Sequence, residues 1–153
     1  MLVRTSDHTT FTVPDAVVAA CGTLLAAGDS RPCGECEDAT VVPLPNVAAR
    51  VMTHIVHYYT KLQELANLSV PPTSTASFKV RFFESLGRPG LFDVMEAANY
   101  LDARRLLDDA CAFVADVIRG GTPEKIRAFF MMPHDMTSEE ARQFAAEFQW
   151  ALA

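Results

Sequence analysis

Residues 91–102, LFDVMEAANYLD, place their apolar side chains at the spacing of an α-helix and then break that spacing. The apolar stripe consists of Leu91, Val94, Met95, Ala98 and Leu101. Spacings of three and four put these side chains on one face, so the stretch predicts a helix with one buried face. Asn99 lies near the end of the stripe and is a residue type that often terminates helices. Periodicity alone predicts no more for the neighbouring Tyr100 than a half-buried side chain.

Two further apolar stripes, one on each side of this helix in sequence, predict two more helices with a buried face. The preceding stripe consists of Val47, Val51, Ile55, Tyr58 and Leu62. The following stripe consists of Leu106, Leu107, Cys111, Val114 and Ile118. Gly120 and Gly121 follow it and predict its end. Asn46 stands just before the first of these helices, where we expect it to act as the N-cap.

The N-terminal part of the chain predicts a small amount of β-structure. Residues 3–13 are rich in β-branched side chains around a turn at 6–8, which is typical of a hairpin. Residues 14–30 predict one helix with a proline near its first position. Residues 41–45 predict a short extended segment, since each proline there biases the residue before it towards β geometry.

Three stretches have the composition of connections between these elements. Residues 31–40 are polar and contain proline, glycine and three acids, which predicts a loop. Residues 67–77 have the composition of a linker, with two prolines followed by threonine and serine. Residues 88–90, Arg-Pro-Gly, indicate another interruption of regular structure.

The C-terminal segment carries more apolar side chains than two short helices can enclose. Thr122 before Pro123 predicts one helix start, and Thr137 with Glu140 has the spacing of a capping box. The large apolar residues of the segment are Ile126, Phe129, Phe130, Met131, Met132, Met136, Phe144, Phe148 and Trp150. We expect part of this set to pack on the rest of the chain and the surplus to bind a partner.

The overall charge limits the class of partner. The chain of 153 residues has a formal net charge of −6, which argues against nucleic acid or an anionic membrane as the main partner. The start of the chain lacks the apolar run of a signal peptide. The apolar stretch at 16–27 is too short to span a bilayer. We therefore expect a protein of the nucleus and cytoplasm, where its four cysteines stay reduced.

The residue patterns of catalytic and metal sites are weak in this chain. Cys33 and Cys36 have C-x-x-C spacing, but a zinc site needs about four ligands and no second pair lies nearby. His54 and His57 are three apart on a predicted helix and likewise have no third ligand. We predict no catalytic residue, no metal site and no cofactor. A small metal or redox protein that uses these two loop thiols remains one hypothesis, beside the two interpretations given below.

Several strings, taken together and in chain order, resemble the Skp family, the adaptor subunits of SCF (Skp–cullin–F-box) ubiquitin ligases. These strings are VPLPNV at 42–47, LFDVMEAANYLD at 91–102, TPEKIR at 122–127 and QW at 149–150. Residues 5–7 and 11–13 are similar to the opening hairpin of that family. The resemblance runs from about residue 3 to Trp150 and so covers nearly the whole chain.

The resemblance implies an α+β, mostly helical fold. It is a BTB/POZ fold, a small sheet flanked by helices, over residues 1–119, followed by a two-helix C-terminal extension over 120–153. The function implied is that of a non-catalytic adaptor that bridges a cullin to F-box proteins, with no small-molecule substrate. Asn99 and Tyr100 match the positions at the family's cullin contact. The residues implied at the F-box contact are Leu107, Val114, Ile118, Ile126, Phe129, Phe130, Phe144 and Trp150.

The chain also departs from the family's usual pattern. Phe78 and Lys79 stand where the family usually has tryptophan and aspartate, and Arg104-Arg105 replaces the more usual Lys-Gly. These departures indicate a divergent paralogue of the family. The alternative interpretation is a stand-alone POZ-type interaction module that binds no cullin. Co-purification of a cullin with F-box proteins separates the two interpretations.

Overall fold

The computed structural model describes residues 1–29, 41–68, 71–133 and 137–147. The chain forms two compact units, Met1–Asp116 and Val117–Ala153. Its elements in chain order are β1 (Leu2–Thr5), β2 (Thr10–Thr12), α1 (Asp15–Ala20), α2 (Gly22–Asp29), β3 (Val41–Leu44), α3 (Ala49–Asn67), α4 (Pro72–Tyr100), α5 (Arg104–Arg119), α6 (Pro123–Phe129) and α7 (Ser138–Glu147). A small sheet with many helices confirms the α+β, mostly helical fold class.

The three strands form one sheet in the order β2-β1-β3. β1 pairs antiparallel with β2, with Val3 opposite Phe11, which confirms the predicted hairpin. β3 pairs parallel with the other edge of β1, with Val3 beside Val42. A parallel pair needs a long crossover connection, and α1 and α2 lie within that connection. Val3 and Thr5 are buried on the sheet face that meets the helices.

The prediction of one continuous helix over 14–30 is wrong. The helix breaks at Cys21, which has extended backbone angles, and α2 begins at Gly22. The main-chain amides of Gly22 and Thr23 donate instead to the carbonyl oxygens of Asp102 and Leu101, at 3.3 and 3.2 Å. These tertiary hydrogen bonds replace intrahelical ones, so sequence periodicity does not reveal the break. Beyond the break, Leu24 is fully buried but the neighbouring Leu25 is 46% exposed.

The predicted face of α3 is confirmed, but its predicted cap is wrong. Val51, Ile55, Tyr58 and Leu62 are all buried. The N-cap position is Ala48, which has no side-chain cap. The capping acceptor comes from the β1–β2 turn, where Asp7 Oδ2 accepts from the Ala49 amide at 3.2 Å.

α4 is longer than the sequence indicates. It begins at Pro72, so residues 72–77 are helical where a linker was predicted. Pro72 fits the first turn because the amide it lacks has no intrahelical partner there. The helix is interrupted at Gly87, with φ 63° and ψ 175°, immediately before the Arg-Pro-Gly interruption predicted at 88–90. Beyond the break, four of the five stripe residues are buried: Leu91, Val94, Ala98 and Leu101.

A polar cluster lies at the edge of the aromatic core between α3, α4 and α5. Asp109 accepts hydrogen bonds from the Tyr58 hydroxyl and from Lys79 Nζ, the latter at 2.7 Å. The side chains of Lys79 and Asp109 are only 26% and 20% exposed. Burial and the bond to Asp109 raise the pKa of Tyr58. Asp109 is therefore a partly buried acceptor within the fold rather than a solvated surface acid.

Two candidate interaction surfaces

The first candidate surface is the corner where α4 ends and α5 begins. The Ala103 amide donates to the Ala98 carbonyl at 2.8 Å, and the Asp102 amide donates to the Asn99 carbonyl at 3.2 Å. Asp102 has a φ of 50°. This pair of bonds around a left-handed residue is a Schellman motif, and aspartate is one of the few residue types that tolerate the left-handed region. The string Asn99–Asp102 thus builds the turn itself.

The α2 N-terminus holds this corner in place. Thr23 Oγ1 donates to the Tyr100 carbonyl at 3.0 Å, and the Thr23 amide donates to the Leu101 carbonyl at 3.2 Å. The Gly22 amide donates to the Asp102 carbonyl. The main-chain carbonyls of Tyr100, Leu101 and Asp102, at and just beyond the end of α4, are therefore all bonded by the first turn of α2.

Gly22 is required by this close approach. A Cβ at Gly22 lies 2.4 Å from Asp102 Oδ2 and 3.2 Å from Asp102 Cβ, so a larger residue displaces the aspartate. Asp102 Oδ1 also accepts from Arg104 Nε at 3.0 Å. Beneath the corner, Cys21 is fully buried. Burial, with the nearby Asp102 carboxylate, raises the pKa of its thiol to about 11, which keeps the thiol protonated at neutral pH.

The corner presents both predicted cullin-contact residues to solvent. Asn99 is exposed and Tyr100 is half-buried, whereas Ala98 and Leu101 on either side of them are fully buried. The structure thus brings Asn99 and Tyr100 together on a rigid helix end. It also adds two residues that the sequence did not indicate, Gly22 and Thr23, because their contacts lie some 80 positions away and no local pattern marks them.

The second candidate surface lies in the C-terminal unit. Both predicted helix starts are confirmed. The Thr122 hydroxyl accepts from the Lys125 amide, and Pro123 occupies the first turn of α6. At α7, Thr137 Oγ1 accepts from the Glu140 amide at 3.3 Å, while Glu140 Oε2 accepts from the Thr137 amide at 2.8 Å.

Large apolar side chains of this unit are exposed. Met131 and Met132 are 61% and 59% exposed, and Val117 and Ile118 are 38% and 37% exposed. The Phe129 and Phe130 rings pack edge to face with their centroids 5.2 Å apart. No residue of α6 is buried. Exposed Met side chains next to half-buried aromatic rings are typical of a partner-binding surface.

The residues predicted for the F-box contact fall into three groups. Ile118, Ile126, Phe129 and Phe130 lie in the C-terminal unit and are at least partly accessible. Leu107 and Val114 lie on α5 within the first unit, where Leu107 is half-buried and Val114 is only 9% exposed. Phe144 falls within α7, with its side chain outside the description, and Trp150 lies beyond the described residues.

The structure gives less information on the candidate metal and redox residues of the sequence. Cys33 and Cys36 lie outside the described residues. Within the described ranges, His, Cys, Asp and Glu side chains nowhere gather in a group of three or more that suits a metal ion. In the same part of the chain, every helix is too short or too polar to cross a membrane.

Comparison with known proteins gives one consistent result. Residues 104–151 match the model of the Skp1 family, dimerisation domain. The chain is 30% identical over 152 residues to SKP1-like protein 9 of Arabidopsis thaliana, an alignment that covers 99% of this chain and 96% of that one. It is 32% identical over 159 residues to SKP1-like protein 1A of the same organism, again covering 99% and 96%. It is 35% identical over 126 residues to the SCF ubiquitin ligase complex protein SKP1a of Dictyostelium discoideum, covering 74% of each chain. With 30% and 32% identity to the two SKP1-like proteins along nearly its whole length, the chain belongs to the Skp1 family.

Proposed function

We propose that this protein is a non-catalytic adaptor of an SCF-type ubiquitin ligase, which bridges a cullin scaffold to F-box substrate receptors. The observation that carries the proposal is the α4–α5 corner, where Asn99 and Tyr100 are held outward by a fully bonded turn. The relative from Dictyostelium discoideum is named as a protein of an SCF ubiquitin ligase complex, which supports the same assignment.

The cullin side of the proposal rests on preorganisation. Each carbonyl at the end of α4 has a hydrogen-bond partner within the fold. The main chain of this corner therefore does not need to reorder when the partner protein binds. Binding to a rigid surface loses less conformational entropy, which leaves more of the contact energy as affinity. An exposed amide beside a half-buried aromatic ring is a suitable anchor pair for such an interface.

The F-box side rests on exposed apolar surface in the C-terminal unit. Met131 and Met132 are each more than half exposed, and α6 has no buried residue. An apolar surface of this kind is stabilised when a partner covers it. Methionine adapts its shape to different partners, which suits an adaptor that accepts many receptors.

The cullin assignment is tested by a charge-introducing double variant. Asn99→Lys/Tyr100→Lys should abolish the capture of a cullin N-terminal domain from a mixture of purified proteins while it leaves capture of an F-box peptide intact. Gln63→Lys/Asn67→Lys is the matched control, because it adds the same charge at two exposed positions of α3. Full cullin binding by the first variant overturns the assignment of this surface.

The F-box assignment predicts the opposite pattern of binding results from the cullin assignment. Phe130→Ala or Trp150→Ala should weaken binding of the F-box peptide and leave cullin capture unchanged. Co-purification followed by mass spectrometry then decides between the adaptor and a stand-alone POZ-type module, since the module brings down no cullin. Failure of wild-type protein to capture any cullin overturns the adaptor proposal as a whole.

A further inference from the structure

A polar cleft opens beside the Asn99–Tyr100 corner. It has a volume of about 210 Å³ and lies between the β1–β2 turn, the segment that leads into α3, and α4. Its polar lining residues are Ser6, Asn46, Arg50, Asp93 and Glu96. Glu96 and Asn99 are both exposed and three residues apart on α4, so the cleft and the corner share one helix face.

The charges in this cleft are unevenly paired. Asp93 and Glu96 are also three residues apart on α4, which places two like charges side by side and disfavours the helix. Arg50 of α3 forms an ion pair with Asp93. Within the described ranges, the Glu96 carboxylate forms no ion pair and accepts no hydrogen bond. The cleft therefore has one carboxylate whose charge the fold does not balance.

The position of Glu96 along α4 adds to this imbalance. The C-terminal end of a helix carries a partial negative charge, which favours cations and disfavours carboxylates nearby. α4 has no basic residue in its last turn. Glu96 immediately precedes that turn, so the nearest part of the helix supplies no cation to offset its charge. A charge placement that disfavours the helix and that no other residue offsets is expected at functional positions.

We propose that this cleft takes a single basic side chain, lysine or arginine, of the scaffold protein that docks on the Asn99–Tyr100 corner. This inference rests on the proposed function and adds a specificity-determining residue to it. The ammonium or guanidinium group pairs with the Glu96 carboxylate, and the Ser6 hydroxyl and the Asn46 side-chain carbonyl supply further acceptors on the opposite rim. Arg50 stays on Asp93, so the incoming cation does not compete for that carboxylate.

The proposal is tested by reversing one charge and measuring binding to a cullin N-terminal domain by calorimetry. Glu96→Lys should weaken binding by about tenfold or more, and Glu96→Gln by less, as expected for the loss of a close interfacial charge pair. The dependence of affinity on salt concentration should also fall. Glu84→Lys is the matched control, because Glu84 is an exposed acid on the same helix, before the break at Gly87, and it should bind as wild type does.

A compensating change identifies the partner residue. Lysine and arginine residues on the cullin domain are changed to glutamate one at a time, and one such variant should restore binding to Glu96→Lys. Affinity for an F-box peptide should be the same for every adaptor variant, which shows that the fold is intact.

The outcomes separate this inference from the proposed function. If wild-type protein and the Glu96→Lys variant bind the cullin domain equally, the cleft assignment is overturned and the adaptor role stands. A loss of binding that no single charge reversal in the cullin domain rescues also overturns the cleft assignment. If wild-type protein binds no cullin domain at all, the proposed function and this inference both fall.

Discussion

The Thr23 hydroxyl donates a 3.0 Å hydrogen bond to the main-chain carbonyl of Tyr100, 77 residues further along the chain. The same threonine donates its amide to the carbonyl of Leu101. One residue of α2 therefore satisfies two of the carbonyls that α4 leaves free at its end. The orientation of Tyr100, on which the cullin contact of the proposed function depends, is set by a residue outside α4.

Removal of the Thr23 hydroxyl should affect both stability and binding. Thr23→Val keeps the side-chain volume but leaves the Tyr100 carbonyl without its donor, which should lower the free energy of unfolding by about 1–2 kcal/mol. Cullin affinity should fall as well, because the end of α4 loses a restraint. Urea denaturation and calorimetry measure the two effects.

Thr53→Val is the control for this prediction. The Thr53 hydroxyl donates to the Ala49 carbonyl on the exposed surface of α3, where water replaces the lost bond. We expect little change in stability or binding for this variant. A loss of stability in Thr53→Val equal to that in Thr23→Val contradicts the role given to the partly buried Thr23–Tyr100 hydrogen bond.

The corner shows which parts of the fold were predictable from sequence. The stripe from Leu91 to Leu101 was found because a buried helix face leaves a period in the sequence. The caps at Thr122 and Thr137 were found because capping acts over three residues. The break at Cys21 and the Asp7 cap of α3 were missed, since both depend on hydrogen bonds between segments far apart in the chain. Thr23 and the cleft around Glu96 were not predicted either, because they too depend on contacts between segments far apart in the chain.

Gly87 should tolerate no side chain without loss of stability. Its φ of 63° and ψ of 175° interrupt α4 in a backbone conformation that is essentially restricted to glycine, because a Cβ disfavours it. The space around it is open, with nothing within 4 Å of a Cβ. Gly87→Ala should therefore lower the free energy of unfolding by about 1–2 kcal/mol through backbone strain alone.

Two variants test the cause of that loss. Gly87→Asn should be about as destabilising as Gly87→Ala, because asparagine tolerates the αL conformation but not a positive φ combined with a ψ of 175°. Gly120→Ala places a Cβ in equally open space without a positive φ, so it should not destabilise the protein. A loss for Gly120→Ala as large as that for Gly87→Ala argues against strain as the cause.

The Asp7 cap should make stability depend on pH in the acid range. A hydrogen bond from the Thr5 hydroxyl, with further main-chain bonds that include the Ala49 amide, lowers the pKa of Asp7 below its usual value of 3.8. A carboxyl whose pKa is lower in the folded state stabilises the fold above the unfolded pKa. That stabilisation is lost as the pH falls through the lowered folded pKa, so the window lies below about pH 4.

Denaturation midpoints at pH 6 and pH 3 measure this dependence. The Asp7→Asn variant should lose part of the difference between the two pH values, because asparagine does not titrate. Glu84→Gln is the control, since Glu84 is exposed and caps no helix, and it should keep the wild-type difference. A difference that Asp7→Asn leaves unchanged assigns the acid sensitivity to other carboxyl groups.

Replacing one residue of the Tyr58–Asp109–Lys79 cluster should lower the stability of the protein more than replacing all three by apolar residues of similar size. Asp109→Ala leaves the Lys79 ammonium and the Tyr58 hydroxyl partly buried without their acceptor. We expect a loss of about 1–3 kcal/mol, below the value for a fully buried pair, because Lys79 and Asp109 retain 26% and 20% exposure.

Apolar replacement of the whole cluster tests whether its bonds stabilise the fold or only compensate for burying charge. In Tyr58→Phe/Lys79→Met/Asp109→Leu no polar group is left unpaired, and a buried ion pair often gives no net stability over apolar residues of similar size. The triple variant should therefore unfold at nearly the wild-type urea concentration. If it loses as much stability as Asp109→Ala, the cluster contributes net stability. The pairing of Lys79 with Asp109 then stabilises this divergent chain more than apolar residues of similar size would.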